Sequence, residues 1–150
     1  MVEILSPVSG LRQDVKDMPD PVFAAGRGWA GWRPPGRPGR QTAVAPIDGV
    51  LAKLHPHAFV VVSDRGPGVL VHLGIDTVHL NGHGFTPLLE EQHRVRAGDA
   101  VVAWDPAYVE RTGHSAICAV VVLDCPFTAD SLGEPGTQVA AADPLFQIDC

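Results

Sequence analysis

His57 and His72 are the two side chains of this 150-residue chain whose type and spacing could do chemistry together. Imidazole titrates near neutrality and serves as nucleophile, proton carrier or metal ligand. His72 lies inside the apolar run Val69-Leu70-Val71-His72-Leu73-Gly74-Ile75-Asp76-Thr77-Val78, and His57 stands just before a second run, Phe59-Val60-Val61-Val62. If Asp64-Arg65-Gly66-Pro67 is the loop of a hairpin joining these runs, its even length pairs Ser63 with Gly68 and Phe59 with His72. Side chains alternate faces along a strand. His57 then shares the face of Phe59 and becomes the diagonal neighbour of His72, roughly 5 to 8 Å away. An odd loop would separate the rings unless a bulge intervened. His55, two residues earlier, can share the face of His57, whereas His79, His83, His93 and His114 stand in polar or turn-like contexts where a solvated ring is the default.

The elements that must position these rings are strands. Short β-branched runs recur at 42–45, 49–54, 59–62, 69–73, 100–104 and 116–123, separated by Gly, Pro and Asp. Only Pro87-Leu88-Leu89-Glu90-Glu91-Gln92-His93 reads as helical, a connector of about two turns. The pattern predicts an all-β, compact antiparallel sandwich or barrel that hides its sheet edges. Ser6-Pro7-Val8-Ser9-Gly10-Leu11 is echoed by Ala45-Pro46-Ile47-Asp48-Gly49-Val50, each followed at a similar distance by a phenylalanine, Phe23 or Phe59. One such echo suggests, without proving, a duplicated unit.

Length and composition fit one globular domain over residues 1–150, with 45% hydrophobic residues and a mean hydropathy of +0.11. The formal net charge of -6 disfavours a nucleic-acid partner. Arginines do crowd into residues 26–40 beside Trp29 and Trp32, and this stretch reads as a long solvated Gly/Pro loop. The cysteines, Cys118, Cys125 and Cys150, lack metal-ribbon spacing, and the N-terminus lacks a basic and apolar leader pattern, so a reducing cytoplasm is expected. The longest apolar run, 116–123, is far short of the roughly 20 residues that span a bilayer.

Read as a whole, the chain resembles the glucose-type enzyme IIA family of the bacterial phosphoenolpyruvate-dependent sugar phosphotransferase system. The resemblance rests on Ile4-Leu5-Ser6-Pro7-Val8-Ser9-Gly10, Pro19-Asp20-Pro21-Val22-Phe23-Ala24, Val44-Ala45-Pro46-Ile47-Asp48-Gly49, His57-Ala58-Phe59, the run Val71 through Val78, and Val95-Arg96-Ala97-Gly98-Asp99. It implies a β-sandwich of the duplicated hybrid-motif type with one or two short helical turns. It also implies a phosphocarrier in which His72 accepts a phosphoryl group from the carrier HPr and passes it to a cysteine of a IIB domain, of a glucose- or N-acetylglucosamine-type permease. His57 is implied as the donor that steadies the phosphoryl oxygens. The implied partner surface comprises Asp20, Val22, Phe23, Leu70, Gly74, Asp76 and Val78, with regulated enzymes or transporters as further partners. His55 departs from the family's threonine, and Gly26-Arg27-Gly28 from its Gly-Asp-Gly. The chain starts at its first strand without an amphipathic tether, from which a stand-alone soluble subunit is expected.

Two other classes share parts of this pattern. A biotinyl or lipoyl carrier domain would attach its cofactor to a lysine at a hairpin tip, and neither Lys16 nor Lys53 stands in such a turn. A hybrid-motif zinc hydrolase would draw ligands from His55, His57, Asp64 and His72, but its His-x-His would follow the other ligands. No resident cofactor is expected. Two imidazoles leave a tetrahedral zinc site incomplete, so zinc at His57 and His72 is expected only where a partner adds a carboxylate.

Overall fold

A computed structural model describes residues 2–12, 29–33, 40–123 and 137–148. The chain forms β1 (Val2–Leu5), β2 (Gly10–Arg12), β3 (Trp29–Arg33), β4 (Gln41–Val44), β5 (Gly49–His55), β6 (Ala58–Val62), β7 (Gly68–Leu73), a 3-10 turn (Thr77–Leu80), β8 (Phe85–Pro87), β9 (Arg94–Val95), β10 (Ala100–Trp104), helix α1 (Pro106–Arg111), β11 (Cys118–Leu123), β12 (Gln138–Val139) and β13 (Pro144–Ile148). The fold is an antiparallel β-sandwich. An eight-stranded sheet has the order β12-β2-β3-β11-β7-β6-β5-β9, and β4-β10-β8 and β1-β13 form smaller sheets. One contiguous core draws on all three: Trp104, Phe59, Ile4, Leu51, Leu73 and Ile148 are among its largest buried side chains. Alternation along β6 and β7 sends Phe59, Val61, Val69, Val71 and Leu73 inward and leaves Val60, Leu70 and His72 on the outer face.

The echo in the sequence is a structural duplication. The pairing of Val2 with Ile148, Ile4 with Phe146 and Leu5 with Pro144 repeats as Gln41 with Trp104, Ala43 with Val102 and Val44 with Ala100, each pair of strands slipping at the corresponding place. The Pro-x-x-Gly turns that follow β1 and β4 interlock, Leu5 N–H donating to the Pro46 carbonyl at 2.9 Å and Val44 N–H to the Pro7 carbonyl at 2.8 Å. Two outer strands close the large sheet in the same way, Val139 opposite Gly10 and Val95 opposite Gly49.

Three expectations need correction. Residues 87–93 are not a helix: Leu51 N–H donates to the His93 carbonyl, Gln92 N–H to the Leu51 carbonyl, Leu88 N–H to the Val101 carbonyl of β10, and Gln92 has φ 70°, so the segment bonds mainly to β5 and β10, with one turn bond of its own from His93 N–H to the Glu90 carbonyl. Among the described residues the α-helix is Pro106–Arg111, where the Asp105 carboxylate accepts from Tyr108 N–H at 3.1 Å and Pro106 occupies the first turn. Nor is the whole of 26–40 a loop. Trp29–Arg33 is a strand between β2 and β11, because those neighbours offer backbone partners on both sides. The third correction, the register of the histidine hairpin, belongs to the site.

Candidate functional site: a histidine pair on the outer face of the large sheet

β6 and β7 pair with Ala58 opposite His72, Phe59 opposite Val71 and Val62 opposite Gly68. The expected pairing of Phe59 with His72 is therefore off by one. The connection is residues 63–67, because Ser63 N–H donates to the Pro67 carbonyl at 2.9 Å and the Ser63 hydroxyl accepts from Arg65 N–H, which draws Ser63 out of the strand and into the turn. In a regular ladder this odd loop would send His57 to the buried face with Leu73. His57 escapes that fate because it lies in the turn between β5 and β6, where His55 pairs with Ala58 and the alternation is interrupted. Its backbone stays attached to the hairpin, Leu73 N–H donating to the His57 carbonyl at 2.8 Å, while its ring swings to the outer face. The ring centroids of His57 and His72 are 5.1 Å apart at an interplanar angle of 71°. The two imidazoles thus converge by a turn, not by strand parity.

His72 is held by its own strand end. Its Nδ1 lies 2.6 Å from the Gly74 carbonyl oxygen, which can only accept, so Nδ1 carries the proton and Nε2 holds the lone pair. Gly74 has φ 82°, and a Cβ there would lie 2.5 Å from Thr77 Cγ2 and 2.9 Å from the Ser115 carbonyl oxygen. Any side chain at Gly74 would displace the acceptor that sets the His72 tautomer. Gly74 is buried, so its place is internal and not on the partner-facing rim. The loop after it is pinned by the Thr77 hydroxyl, donating to the Leu73 carbonyl at 2.7 Å, and by Ile75 N–H, donating to the Ser115 carbonyl at 2.9 Å.

The cross-strand neighbours of His72 are Ala58 and Ala119, so its ring stands between two small side chains. The sequence reading missed Thr77, Ser115 and both alanines; only Thr77, a lone polar residue closing an apolar run, offered a signal. On the rim, Leu70 is half-buried, Val78 is 54% exposed, and Asp76 is exposed with φ 59°. Asp20, Val22 and Phe23 lie outside the described residues.

Burial sets the protonation of His57. Partial desolvation, then the neighbouring His72 and His55, lower the His57 pKa from 6.5 to about 4. At neutral pH His57 is therefore an uncharged imidazole with one N–H to donate. His55 is exposed and stacks on it, centroids 5.9 Å apart at 27°.

Residues of the rival readings do not converge here. Asp64 sits in the loop at the other end of the hairpin, bound by Arg94 through two hydrogen bonds of 2.9 and 3.0 Å, and Lys53 lies within β5. Among the described residues, no group of three or more His, Cys, Asp or Glu side chains is placed to hold a metal ion. Cys118 is fully buried in β11, and desolvation raises its pKa well above the usual thiol range. No described helix is long and apolar enough to cross a membrane.

Comparison with known proteins shows the family of this chain. The family model of the phosphoenolpyruvate-dependent sugar phosphotransferase system, EIIA 1, matches residues 2–126. The chain belongs to this family. It is 39% identical to the glucose-specific EIIA component of Haemophilus influenzae, over 98% of this chain and 89% of that protein. It is 36% identical to the glucose-specific EIIBCA component of Corynebacterium glutamicum, over 99% of this chain, and spans only 22% of that relative. The solved structure of glucose permease IIA from Mycoplasma capricolum superposes with a TM-score of 0.81 at 27% identity, covering 97% of this chain and 94% of that one. As an EIIA chain it is a phosphoryl-transferring component of the sugar phosphotransferase system, and neither the lipoyl-type nor the hydrolase reading is favoured.

Proposed function

We propose that His72 is the phosphoryl acceptor and His57 the donor that steadies the transferred group. The observation that carries this reading is the 2.6 Å contact from His72 Nδ1 to the Gly74 carbonyl, which makes Nε2 the nucleophilic nitrogen, with the His57 ring 5.1 Å away. In the first step the N–P bond on a phosphohistidine of HPr breaks as the bond from His72 Nε2 forms, and the HPr ring keeps the electron pair. In the second step a thiolate of a IIB domain attacks phosphorus and His72 Nε2 departs with its pair. The name EIIBCA of the Corynebacterium relative, joining an A part to a B part, supports a IIB partner.

Phosphoryl transfer leaves little covalent work to the protein beyond alignment and stabilisation of the equatorial oxygens. A neutral His57 supplies one N–H for that purpose. Leu70 and Val78 give partners an apolar surface beside the rings and help keep water from a labile N–P bond. Asp76, exposed at the edge of this face, suits attraction of a basic partner. Zinc would find two imidazoles here and need a carboxylate from a partner.

Incubation with enzyme I, HPr and phosphoenolpyruvate, followed by mapping of the acid-labile phosphate, tests the assignment. Phosphate is expected on His72, and His72→Ala should accept none. Phosphate mapped to His57 in the unaltered protein would reverse the roles, and an unimpaired His72→Ala protein would end the proposal.

A further inference from the structure

His57 is tied to the fold by its backbone, not by its ring. Its carbonyl accepts from Leu73 N–H, and the adjoining Pro56 ring packs beside Gly82, where an added Cβ would sit 3.4 Å from Pro56 Cγ. Among the described residues no hydrogen bond reaches the His57 ring nitrogens, and the ring meets two other rings, His72 edge-on and His55 nearly face-on. A side chain with two rotatable bonds and no polar anchor takes its orientation from such packing. His55 is the last residue of β5, one step before the turn, so strand and turn bring its ring against the His57 ring. His72 meets the same ring edge-on, centroids 5.1 Å apart.

We propose that His55 is a positioning residue, whose ring, stacked on His57, holds the His57 N–H toward a phosphoryl group on His72. The proposal rests on the phosphocarrier reading and extends it to a residue that touches neither the reacting nitrogen nor the phosphorus. A flat ring can hold His57 without competing for its N–H, which a hydrogen-bond acceptor at the same place would do. The stacking surface is the requirement, not the ring nitrogens of His55. The consequence falls mainly on the release step, in which charge passes from the attacking thiolate through the phosphoryl group to His72 and a misdirected N–H is most costly.

The test compares His55→Ala, which removes the stack, with His55→Phe, which keeps it without nitrogens. Side-chain NMR of the His57 ring in the full chain reads its orientation through ring-current shifts and contacts to residue 55, with no partner present. Rapid-quench kinetics with phosphorylated HPr and with a IIB domain read acceptance and release separately. His55→Ala should lose the ring-current signature and slow release about two- to tenfold, the size of one aromatic contact, with a smaller fall in acceptance. His55→Phe should restore release and retain an ordered His57 ring. Unchanged release in His55→Ala, equal losses in both steps, or a His55→Phe protein as slow as His55→Ala would each overturn the proposal. If the unaltered protein takes no phosphate on His72, the phosphocarrier assignment fails instead, and the NMR comparison still decides whether the stack orders the ring.

Discussion

The turn around Pro7 and the turn around Pro46 use one wiring scheme with different side chains. In the first, Ser6 N–H donates to the Asp143 carbonyl, Ala142 N–H to the Ser6 carbonyl, and the Ser9 hydroxyl accepts from Ala141 N–H at 2.9 Å. In the second, Ala45 N–H donates to the Asp99 carbonyl, Gly98 N–H to the Ala45 carbonyl, and the Asp48 carboxylate accepts from Ala97 N–H at 2.7 Å. Asp143 and Asp99 each close their own turn, accepting from Ala140 N–H and Arg96 N–H, both at 2.9 Å. A hydroxyl and a carboxylate are interchangeable where only an acceptor is required. The backbone pattern belongs to the fold, and the histidines belong to what the second half builds upon it: β5 leaves the second turn and ends at His55, and β6 and β7 complete the site. Chemistry was added to one of two equivalent frames.

The largest test of that separation removes chemistry and leaves the frame. His57→Gln keeps an N–H donor but loses the preorganised imidazole. It should still accept phosphate from HPr, while release to the IIB cysteine slows by about 2–4 kcal/mol of barrier, the range for loss of one transition-state donor. Its unfolding midpoint at neutral pH should stay near that of the unaltered protein. Comparable losses in the two transfer steps would show that His57 belongs to docking instead.

Acid provides a second way to separate site from frame. With His57 at about pKa 4 when folded and 6.5 as its ordinary value, the unfolded chain binds the proton first as pH falls. This contribution to stability is complete above about pH 6.5 and is lost between there and pH 4. Because the ring is only partly buried, solvent screening holds the effect to about 1–2 kcal/mol. Urea titrations across that window should show His57→Gln losing less stability than the unaltered protein, and a His57 NMR titration near 6.5 would remove the basis for the difference.

The left-handed residue at the third position of the outer turn distinguishes the frames themselves. It is Gly98 in one half, with φ 96°, and Ala142 in the other, with φ 73°. A Cβ on Gly98 would find only Ala142 Cβ, at 4.0 Å, so sterics there are relaxed and backbone conformation alone sets the cost. Gly98→Ala should destabilise, and Ala142→Gly stabilise, by about 1–2 kcal/mol each in urea unfolding. Shifts of the same sign would mean the two turns are not equivalent.

Much of this was legible in the sequence because it is written in short-range chemistry. The β-branched runs marked β4, β5, β6, β7, β10 and β11, and the Pro-x-x-Gly echo gave the duplication now seen in matching registers. What escaped depended on contacts between distant segments. Residues 87–93 have helix-forming composition, but β5 competes for their backbone groups. The stretch 29–33 is rich in loop-like residues nearby, yet β2 and β11 pair with it. His57 and His72 were named correctly as facing rings, but by a parity that Ser63 breaks when it joins the turn. The hold on His72 was out of reach, because a backbone carbonyl has no letter in a sequence and the ring bonds to the one at Gly74.

The smallest expected effect compares the two outer strands. Arg94 in β9 stands opposite Val50, as Gln138 in β12 stands opposite Leu11. Only Arg94 has an ionic partner among the described residues, Asp64, and both side chains are about two-thirds exposed, at 64% and 65%. Their hydrogen bonds lower the pKa of Asp64 and raise that of Arg94, which shows that the geometry is good. It does not show that the pair stabilises much, since water already solvates both charges and salt screens what attraction remains. Arg94→Gln makes the second half resemble the first at this position. Its unfolding midpoint should fall slightly at low ionic strength and coincide with that of the unaltered protein in high salt. A deficit that persists in high salt would mean that Arg94 supports the β5–β9 edge through packing of its stem rather than through charge, and that the two outer strands do not hold their sheet in the same way.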